Sequence, residues 1–187
     1  MSQETLSTAA AVGTFLVIAA TAIAAVIQLR HLRAQNQLTG LLTVLARVED
    51  SNFNAWVDAA REMLKTKLLD QQYRLDVQHG TMDRTDNPWL NLGNSYDWVG
   101  SLVKHGLIPA DTFLDVYSYR LLRAWEIVED VVAISRRDQG PGIWENFEYL
   151  VVLARQWQAK HPDGVYPKNK PRLVIQDKFL SLDSARF

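Results

Sequence analysis

Cysteine is absent from this chain of 187 residues. Its absence excludes disulfide bonds, a thiol nucleophile and every zinc or iron–sulfur site that depends on cysteine ligands. The sequence also lacks a glycine-rich phosphate loop, a G-x-S-x-G nucleophile elbow and an H-E-x-x-H zinc motif. No reaction is therefore indicated, and we predict a protein that is not an enzyme and needs no cofactor.

A charge excess of either sign is also missing. The formal net charge is −1, so the chain as a whole has no general attraction to nucleic acid, and we expect no nucleic-acid partner. The charged residues are nevertheless unevenly distributed. Between Leu6 and Leu29 there is no Asp, Glu, Lys or Arg. Apolar residues are thus concentrated near the amino terminus.

The uncharged stretch predicts a transmembrane helix over residues 9–29, preceded by a short segment, residues 1–8. At about 1.5 Å per residue, a helix of this length spans the roughly 30 Å hydrocarbon core of a lipid bilayer. A buried core helix would be shorter and apolar on one side only. A cleaved signal peptide is a closer alternative, because Ala20, Ala22 and Ala24 offer small residues for cleavage. Residues 1–5 contain no Lys or Arg, however, and this favours an uncleaved anchor.

The residues that follow the apolar stretch predict its orientation. Arg30, His31 and Arg33 lie directly after it, and positive residues are retained on the cytoplasmic side of a membrane. We therefore expect a single-pass protein with its amino terminus outside and its carboxyl-terminal domain in the cytoplasm. Apolar residues recur with helical spacing up to Val48, so the helix is predicted to continue as a stalk over residues 30–48.

Polar residues recur every seven positions along this predicted helix. They form one slowly drifting stripe, and they are Ser7, Thr14, Thr21, Gln28 and Gln35. Small and weakly polar side chains allow transmembrane helices to approach and to hydrogen-bond across the contact. We therefore predict that the stripe, together with Arg30, His31 and Arg33, binds a protein partner or a second copy of the chain. The alternative is that the threonine hydroxyls bond back to their own helix.

The remainder of the chain predicts an all-α fold. Residues 49–160 are expected to form a helical cytoplasmic domain of about four antiparallel helices, because apolar residues recur at helical spacing and no segment shows strand-like alternation. The helices are predicted at about Phe53–Tyr73, from Leu92 to Gly106, from Pro109 to about Arg137, and at about Ile143–Lys160. Residues 74–91 are predicted to form a long loop, and residues 161–187 a carboxyl-terminal tail.

Three other features suggest functions but have simpler explanations. The loop contains His79, Asp83 and Asp86, which suit a metal ion, but a solvated turn is the better interpretation. Four carboxylates on adjacent predicted helices could also converge on a metal, although ion pairs with nearby arginines explain them better; they are Glu126, Glu129, Glu145 and Glu148. In the tail, basic residues outnumber acidic ones, and its apolar run "LVIQDKFLSL" could dock on the domain or on a partner.

Several short motifs also resemble a known protein family. They are "AAVGTFLVIAATAIAAVIQLRHLRAQNQL", "NSYDWVGSLVKHGLI", "AWEIV", "IWENFEYL" and "HPDGVYP". In this order they resemble a widespread bacterial family of small single-span membrane proteins known only as a domain of unknown function. The resemblance covers the chain from the anchor to about Pro167. It implies a bacterial origin, a membrane anchor and a helical body, with no established activity or functional residues.

These observations together predict a protein that acts by binding. We expect a helical protein of the bacterial cytoplasmic membrane that self-associates through its span or serves as an accessory subunit of a larger membrane assembly. Two alternatives remain open. One is a membrane-tethered enzyme with a carboxylate-based metal site in the helical domain, and the other is a stress or phage-defence sensor at the membrane.

Overall fold

A computed structural model describes residues 3–48 and 51–180 of the chain, and all regular secondary structure within these ranges is helical. The predicted all-α fold is therefore confirmed. Residues 49 and 50, where the helical domain is predicted to begin, and residues 181–187 of the predicted tail lie outside the described residues. The helices are α1 (Gln3–Val48), α2 (Ser51–Lys67), α3 (Gln71–His79), α4 (Pro88–Lys104), α5 (Ala110–Gln139) and α6 (Glu145–Lys160).

The first helix, α1, is continuous over 46 residues. It contains no proline and many alanines and leucines, which are strong helix formers. Nearly all the described side chains from Ala11 to Asn36 are exposed, whereas Val44 near the carboxyl end is fully buried. The apolar segment and the stalk are therefore one rod, and only the far end of that rod packs against the rest of the protein.

The region between α2 and α4 differs from the prediction. One helix to Tyr73 and a loop over residues 74–91 were expected. Instead α2 ends at Lys67, because Asp70 has an extended backbone (ψ 125°) and its carboxylate accepts a hydrogen bond of 2.9 Å from the Gln72 backbone N–H. Asp70 thus starts the short helix α3, and Gly80 ends it in the left-handed conformation at φ 71°. The prediction is wrong here, and the true loop is residues 80–87.

In the described part of the chain, five helices follow α1. The long helix α5 packs against α3 and α6, while α4 packs against α2 and α6. The core contains the apolar residues that the periodicity of α4, α5 and α6 predicts. Their fully buried members include Leu92, Val99, Leu121, Val128, Phe147 and Leu150. Trp56, Trp125 and Trp157 are half-buried against this core.

The turn between α4 and α5 holds the end of α1. Gly106 adopts φ 69°, as its predicted place at the end of a helix requires, and the Leu107 N–H then donates to the Leu102 carbonyl at 3.0 Å. The Gln37 side chain of α1 donates to the Gly106 carbonyl at 3.4 Å. A Cβ at Gly40 would lie only 3.3 Å from the Leu107 carbonyl oxygen. A small residue at position 40 therefore allows α1 to lie directly against this turn.

Candidate interaction surfaces

The apolar surface of α1 is the largest exposed feature of the described chain. A segment from Ala11 to Val44 is long and apolar enough to cross a membrane, and none of its most apolar stretch, whose mean hydropathy is 2.2, is buried in the protein. Phe15 is 69% exposed and Ile18 is 63% exposed. A core helix of a soluble protein would cover such residues with other elements. The helix α1 is therefore a candidate membrane-spanning helix.

The structure places all the predicted interaction residues on α1, and all of them are exposed: Ser7, Thr14, Thr21, Gln28, Gln35, Arg30, His31 and Arg33. The Thr21 hydroxyl donates to the Val17 carbonyl of the same helix at 2.8 Å. For Thr21, the geometry therefore matches the alternative in which the hydroxyl bonds back to its own helix.

The polar stripe is not straight on an isolated helix. A seven-residue repeat drifts by about 20° per heptad on a straight α-helix, so Ser7 and Gln35 are separated by about 80° around the axis. The stripe can face a single partner along its full length only if the two helices supercoil around each other. One half of the stripe forms a contact surface without that requirement.

The helices α4 and α6 meet at an unusually close contact, where the motif "NSYDWVG" faces the motif "IWENF". A Cβ at Gly93 would lie 2.2 Å from the indole ring of Trp144, and a Cβ at Gly100 would lie 2.1 Å from the Asn146 carbonyl oxygen. The Trp144 indole N–H also donates to Asn94 Oδ1 at 2.9 Å. Both glycines are therefore required by packing, because a larger side chain would overlap the Trp144 indole at Gly93 and the Asn146 backbone at Gly100.

The amino terminus of α6 depends on α4 for its hydrogen bonds. Trp144 precedes the helix with a left-handed backbone (φ 51°) and makes no side-chain cap. Asp97 of α4 supplies the missing acceptor: its Oδ1 accepts from the backbone N–H groups of Asn146 at 3.0 Å and Phe147 at 3.2 Å. A carboxylate at a helix amino terminus also interacts favourably with the helix dipole. The two motifs thus bind each other, and their hydrogen bonds serve the packing of α6 on α4.

A groove between α2 and α5 is rich in arginine, and its larger part also contains Glu126 and Asp130. Its two parts have volumes of about 330 and 260 Å³ and share Arg61 and Arg123 in their linings. The smaller part adds Arg120 and contains no acidic side chain. We call these three residues, with the cavity between them, the arginine groove.

The arginines of this groove are only weakly paired with their neighbours. Arg61 lies 3.4 Å from Asp58 and Arg123 lies 3.5 Å from Glu126, and all four side chains are more than 40% exposed. Exposed pairs of this kind contribute little and exchange easily with other anions. Guanidinium groups bind carboxylates and phosphates in a bidentate manner, so the arginine groove is suited to an anionic group on a partner.

Two tyrosines lie close to these surfaces: Tyr96 is buried beneath the groove, and Tyr73 is half-buried on α3. Tyr96 lines the smaller part of the groove and is 2% exposed. Burial raises the pKa of Tyr96 well above its usual value of 10.0, while the nearby Arg120 charge lowers it by a smaller amount. Burial also raises the pKa of Tyr73, whose hydroxyl donates to Asn87 Oδ1 at 2.8 Å and accepts from the Trp89 indole at 2.9 Å. Both hydroxyls are therefore neutral and structural near pH 7.

The candidate metal residues lie in separate ion pairs. Glu126 pairs with Arg123 at 3.5 Å, Glu145 with Lys104 at 3.2 Å and Glu148 with Arg136 at 2.8 Å. His79 Nδ1 lies 2.8 Å from the Asp138 carboxylate. Within the ranges described, no three His, Cys, Asp or Glu side chains are placed to hold one metal ion. The arginine explanation given by the sequence therefore describes two of the four glutamates, Glu126 and Glu148, while Glu145 pairs with a lysine.

A single family model covers most of these features. A family model described as a domain of unknown function, DUF4760, matches residues 15–157. The chain belongs to this family. The match includes most of the apolar segment of α1, the close α4–α6 contact and the arginine groove, and it ends before the tail. No curated protein and no solved structure matches the chain.

Sequence patterns did not indicate the residues that join the helices. Asp97 and Gly100 act on partners far along the chain, and neither belongs to an apolar repeat. One local signal existed: α6 begins after Trp144 without a Ser, Thr, Asp or Asn in the capping position. A helix that lacks its own cap needs an acceptor from elsewhere, and this could have directed attention to an acidic residue on a neighbouring helix.

Proposed function

We propose that this protein is an anchored interaction module of the bacterial cytoplasmic membrane. In this proposal α1 crosses the bilayer once, and the helical domain binds a partner at the cytoplasmic surface. One observation carries the proposal: the apolar part of α1 is fully exposed, while the end of the same helix is packed into the domain at Val44. Such a helix connects a lipid environment to a folded domain without a flexible linker.

Three observations support the location and orientation. The helix continues without a break past the alanines that resemble a cleavage site, and removing residues up to that point would discard half of a helix whose remainder contacts the domain. Arg30 and Arg33 follow the apolar part and favour a cytoplasmic domain with the amino terminus outside. The family resemblance supports a bacterial origin.

Two surfaces are available for partners in this proposal. The polar stripe on α1 suits another transmembrane helix, either of a second copy or of a larger assembly in which this chain is an accessory subunit. The arginine groove suits an acidic segment of a partner in the cytoplasm. Three of the four candidate carboxylates lie in separate ion pairs, and this supports a binding role over the enzyme alternative.

Crosslinking of the full-length protein in native membranes tests the proposal. We expect a self-pair or a specific partner, and we expect the triple variant Thr14→Leu, Thr21→Leu, Gln28→Leu to weaken a contact through the span by up to about twentyfold, given about 0.6 kcal/mol for each interhelical hydrogen bond. The matched control is Val12→Leu, Ala19→Leu, Val26→Leu, which changes the opposite side of α1 at the same depths.

A second pair of variants tests the groove in the same membranes. Arg120→Glu reverses a charge within the arginine groove, whereas Arg137→Glu reverses an exposed charge near the end of α5. Loss of the partner only with Arg120→Glu assigns binding to the groove. A protein that yields neither a self-pair nor a partner in the parent form contradicts the proposed function.

A further inference from the structure

The tail contains a segment that is both basic and strongly apolar, and the proposed function does not use it. Residues 168–180, which we call the basic–apolar segment, contain four cationic side chains and one acidic one: Lys168, Lys170, Arg172, Lys178 and Asp177. Its large apolar side chains are more than 60% exposed, and they are Leu173, Val174, Ile175, Phe179 and Leu180. No other part of the described chain outside α1 exposes so many large apolar residues in succession.

The base of this segment is a loop closed by its own contacts. Arg172 donates to the Asp163 carbonyl at 2.8 Å, and its guanidinium carbon lies 4.8 Å from the centre of the Tyr166 ring. The Tyr166 hydroxyl in turn donates to the Pro171 carbonyl at 3.0 Å. These contacts fix where the chain leaves the loop. Lys168 and Lys170 lie within the loop, and the apolar run begins at the residue after Arg172.

We propose that the basic–apolar segment binds the anionic headgroup surface of the same membrane that α1 crosses. Basic residues close to an anionic leaflet contribute about 1 kcal/mol each, and neighbouring apolar side chains enter the boundary between headgroups and acyl chains. Four cations against one carboxylate, next to five exposed apolar side chains, combine both contributions. This inference rests on the proposed anchor and its orientation, which place the tail beside the cytoplasmic leaflet.

The end of α4 joins the start of α6 to the turn that holds α1. Lys104 at the end of α4 contacts Glu145 at 3.2 Å and Asn146 at 3.3 Å, and α6 extends about 24 Å from there over its 16 residues. That turn contacts Gln37, seven residues or about 10 Å along the helix from Arg30 at the expected membrane boundary.

The apolar run begins beyond the closed loop and adds reach of its own. Residues 173–180 extend up to about 26 Å at about 3.3 Å per residue. The anchor also keeps the segment at a high effective concentration beside the lipid, so even weak binding places it on the surface.

Labelling of single cysteines in the full-length protein tests the inference, since the natural chain contains no cysteine. Val174→Cys would carry an environment-sensitive fluorophore, with the protein reconstituted in lipid nanodiscs that contain quencher-labelled lipid. Discs of phosphatidylcholine are compared with discs that also contain phosphatidylserine. We expect quenching of the label in the phosphatidylserine discs, and we expect added salt to reverse it.

Charge variants make this test specific. Lys168→Gln, Lys170→Gln, Lys178→Gln leaves Arg172 and its loop contacts in place, and it should lower the ratio of bound to free segment on the order of a hundredfold. Lys65→Gln, Lys67→Gln, Arg137→Gln removes the same charge from exposed positions on α2 and α5 and should leave quenching unchanged.

A second label separates failure of the inference from failure of the anchor. Ile18→Cys lies within the apolar part of α1 and should be quenched in discs of both compositions. If the Ile18→Cys label is quenched and the Val174→Cys label is not, the anchor stands and the inference is wrong. If neither label is quenched, both are wrong. A Val174→Cys label that is already shielded in detergent, without lipid, shows docking on protein and also overturns the inference.

Discussion

The apolar part of α1 and the α4–α6 contact use similar residues in opposite ways. Phe15 and Ile18 of α1 are more than 60% exposed, whereas Phe147 and Leu150 of α6 are fully buried. In α1 the apolar residues surround the helix, while in α6 they lie along one face and charged residues occupy the other. The difference shows that helical apolarity alone does not identify a protein core. Its distribution around the helix indicates whether the surrounding medium is protein or lipid.

The largest expected effect comes from filling the α4–α6 contact. In Gly100→Ala the new methyl group would lie 2.1 Å from the Asn146 carbonyl oxygen, and the helices would have to separate. We expect a loss of about 3 kcal/mol in the free energy of unfolding of the domain, the upper end of usual overpacking costs. Urea unfolding followed by tryptophan fluorescence measures it, since Trp144 lies in the same contact.

The control for this variant is Gly142→Ala, where an added Cβ meets nothing within 4 Å. Gly142→Ala should be neutral or slightly stabilising. Membrane insertion of α1 should be the same in both variants. If Gly100→Ala unfolded like the parent, α4 and α6 would be farther apart than described, and the contrast between a tightly packed domain and a helix exposed on all sides would no longer hold.

Removal of the cap on α6 should have the next largest effect. Asp97→Ala leaves the backbone N–H groups of Asn146 and Phe147 without their acceptor, and we expect a loss of about 2 kcal/mol. Asp97→Asn keeps one side-chain oxygen and should recover part of this loss. Asp115→Ala, on an exposed position of α5, should stay within about 0.5 kcal/mol of the parent in the same urea experiment. Equal stabilities of the two alanine variants would contradict the capping role.

The smallest expected effect appears only in alkali. Burial raises the pKa of Tyr96 above its ordinary value of 10.0, so the folded state keeps a proton that the unfolded chain releases. The stabilising contribution is complete below about pH 10 and decreases above it, by about 1.4 kcal/mol per pH unit for each such tyrosine. Unfolding free energies measured between pH 9 and 11 should fall less steeply in Tyr96→Phe.

Tyr119→Phe is the matched control for this measurement, because the Tyr119 ring is 66% exposed on the outer side of α5. In Tyr119→Phe the unfolding free energy should fall between pH 9 and 11 as steeply as in the parent. If the unfolding free energy of Tyr96→Phe fell as steeply with pH as that of the parent, water would have access to the Tyr96 hydroxyl. The domain would then be packed more loosely than its contrast with α1 requires.

The sequence predicted the helices whose buried residues repeat, and it failed where they do not. In α4, α5 and α6 the buried residues recur every three or four positions, so periodicity located these helices well. In α3 only Val77 is buried, and one buried residue provides no period. The local signals of α3, the cap at Asp70 and the left-handed Gly80, were present but were outweighed by the polar composition of the region.

The candidate surfaces were predictable to different degrees. The exposed apolar residues of α1 follow from composition, because the uncharged part of this helix is apolar on every side except for its narrow polar stripe. The arginine groove could not be predicted, because Arg61 and Arg120 are far apart in the chain and meet only through the packing of α2 on α5. Sequence spacing within one helix carries no information on which face another helix covers.

The capping of α6 by α4 has a consequence for the order of folding. The Asp97 carboxylate and the backbone groups that it accepts from are separated by about fifty positions, and α6 begins at a residue with an unfavourable left-handed backbone. A helix of 16 residues without a cap is marginal in isolation. The first turn of α6 can therefore form stably only when α4 has arrived beside it, so a nascent chain cannot complete α6 by local interactions and must close this loop first.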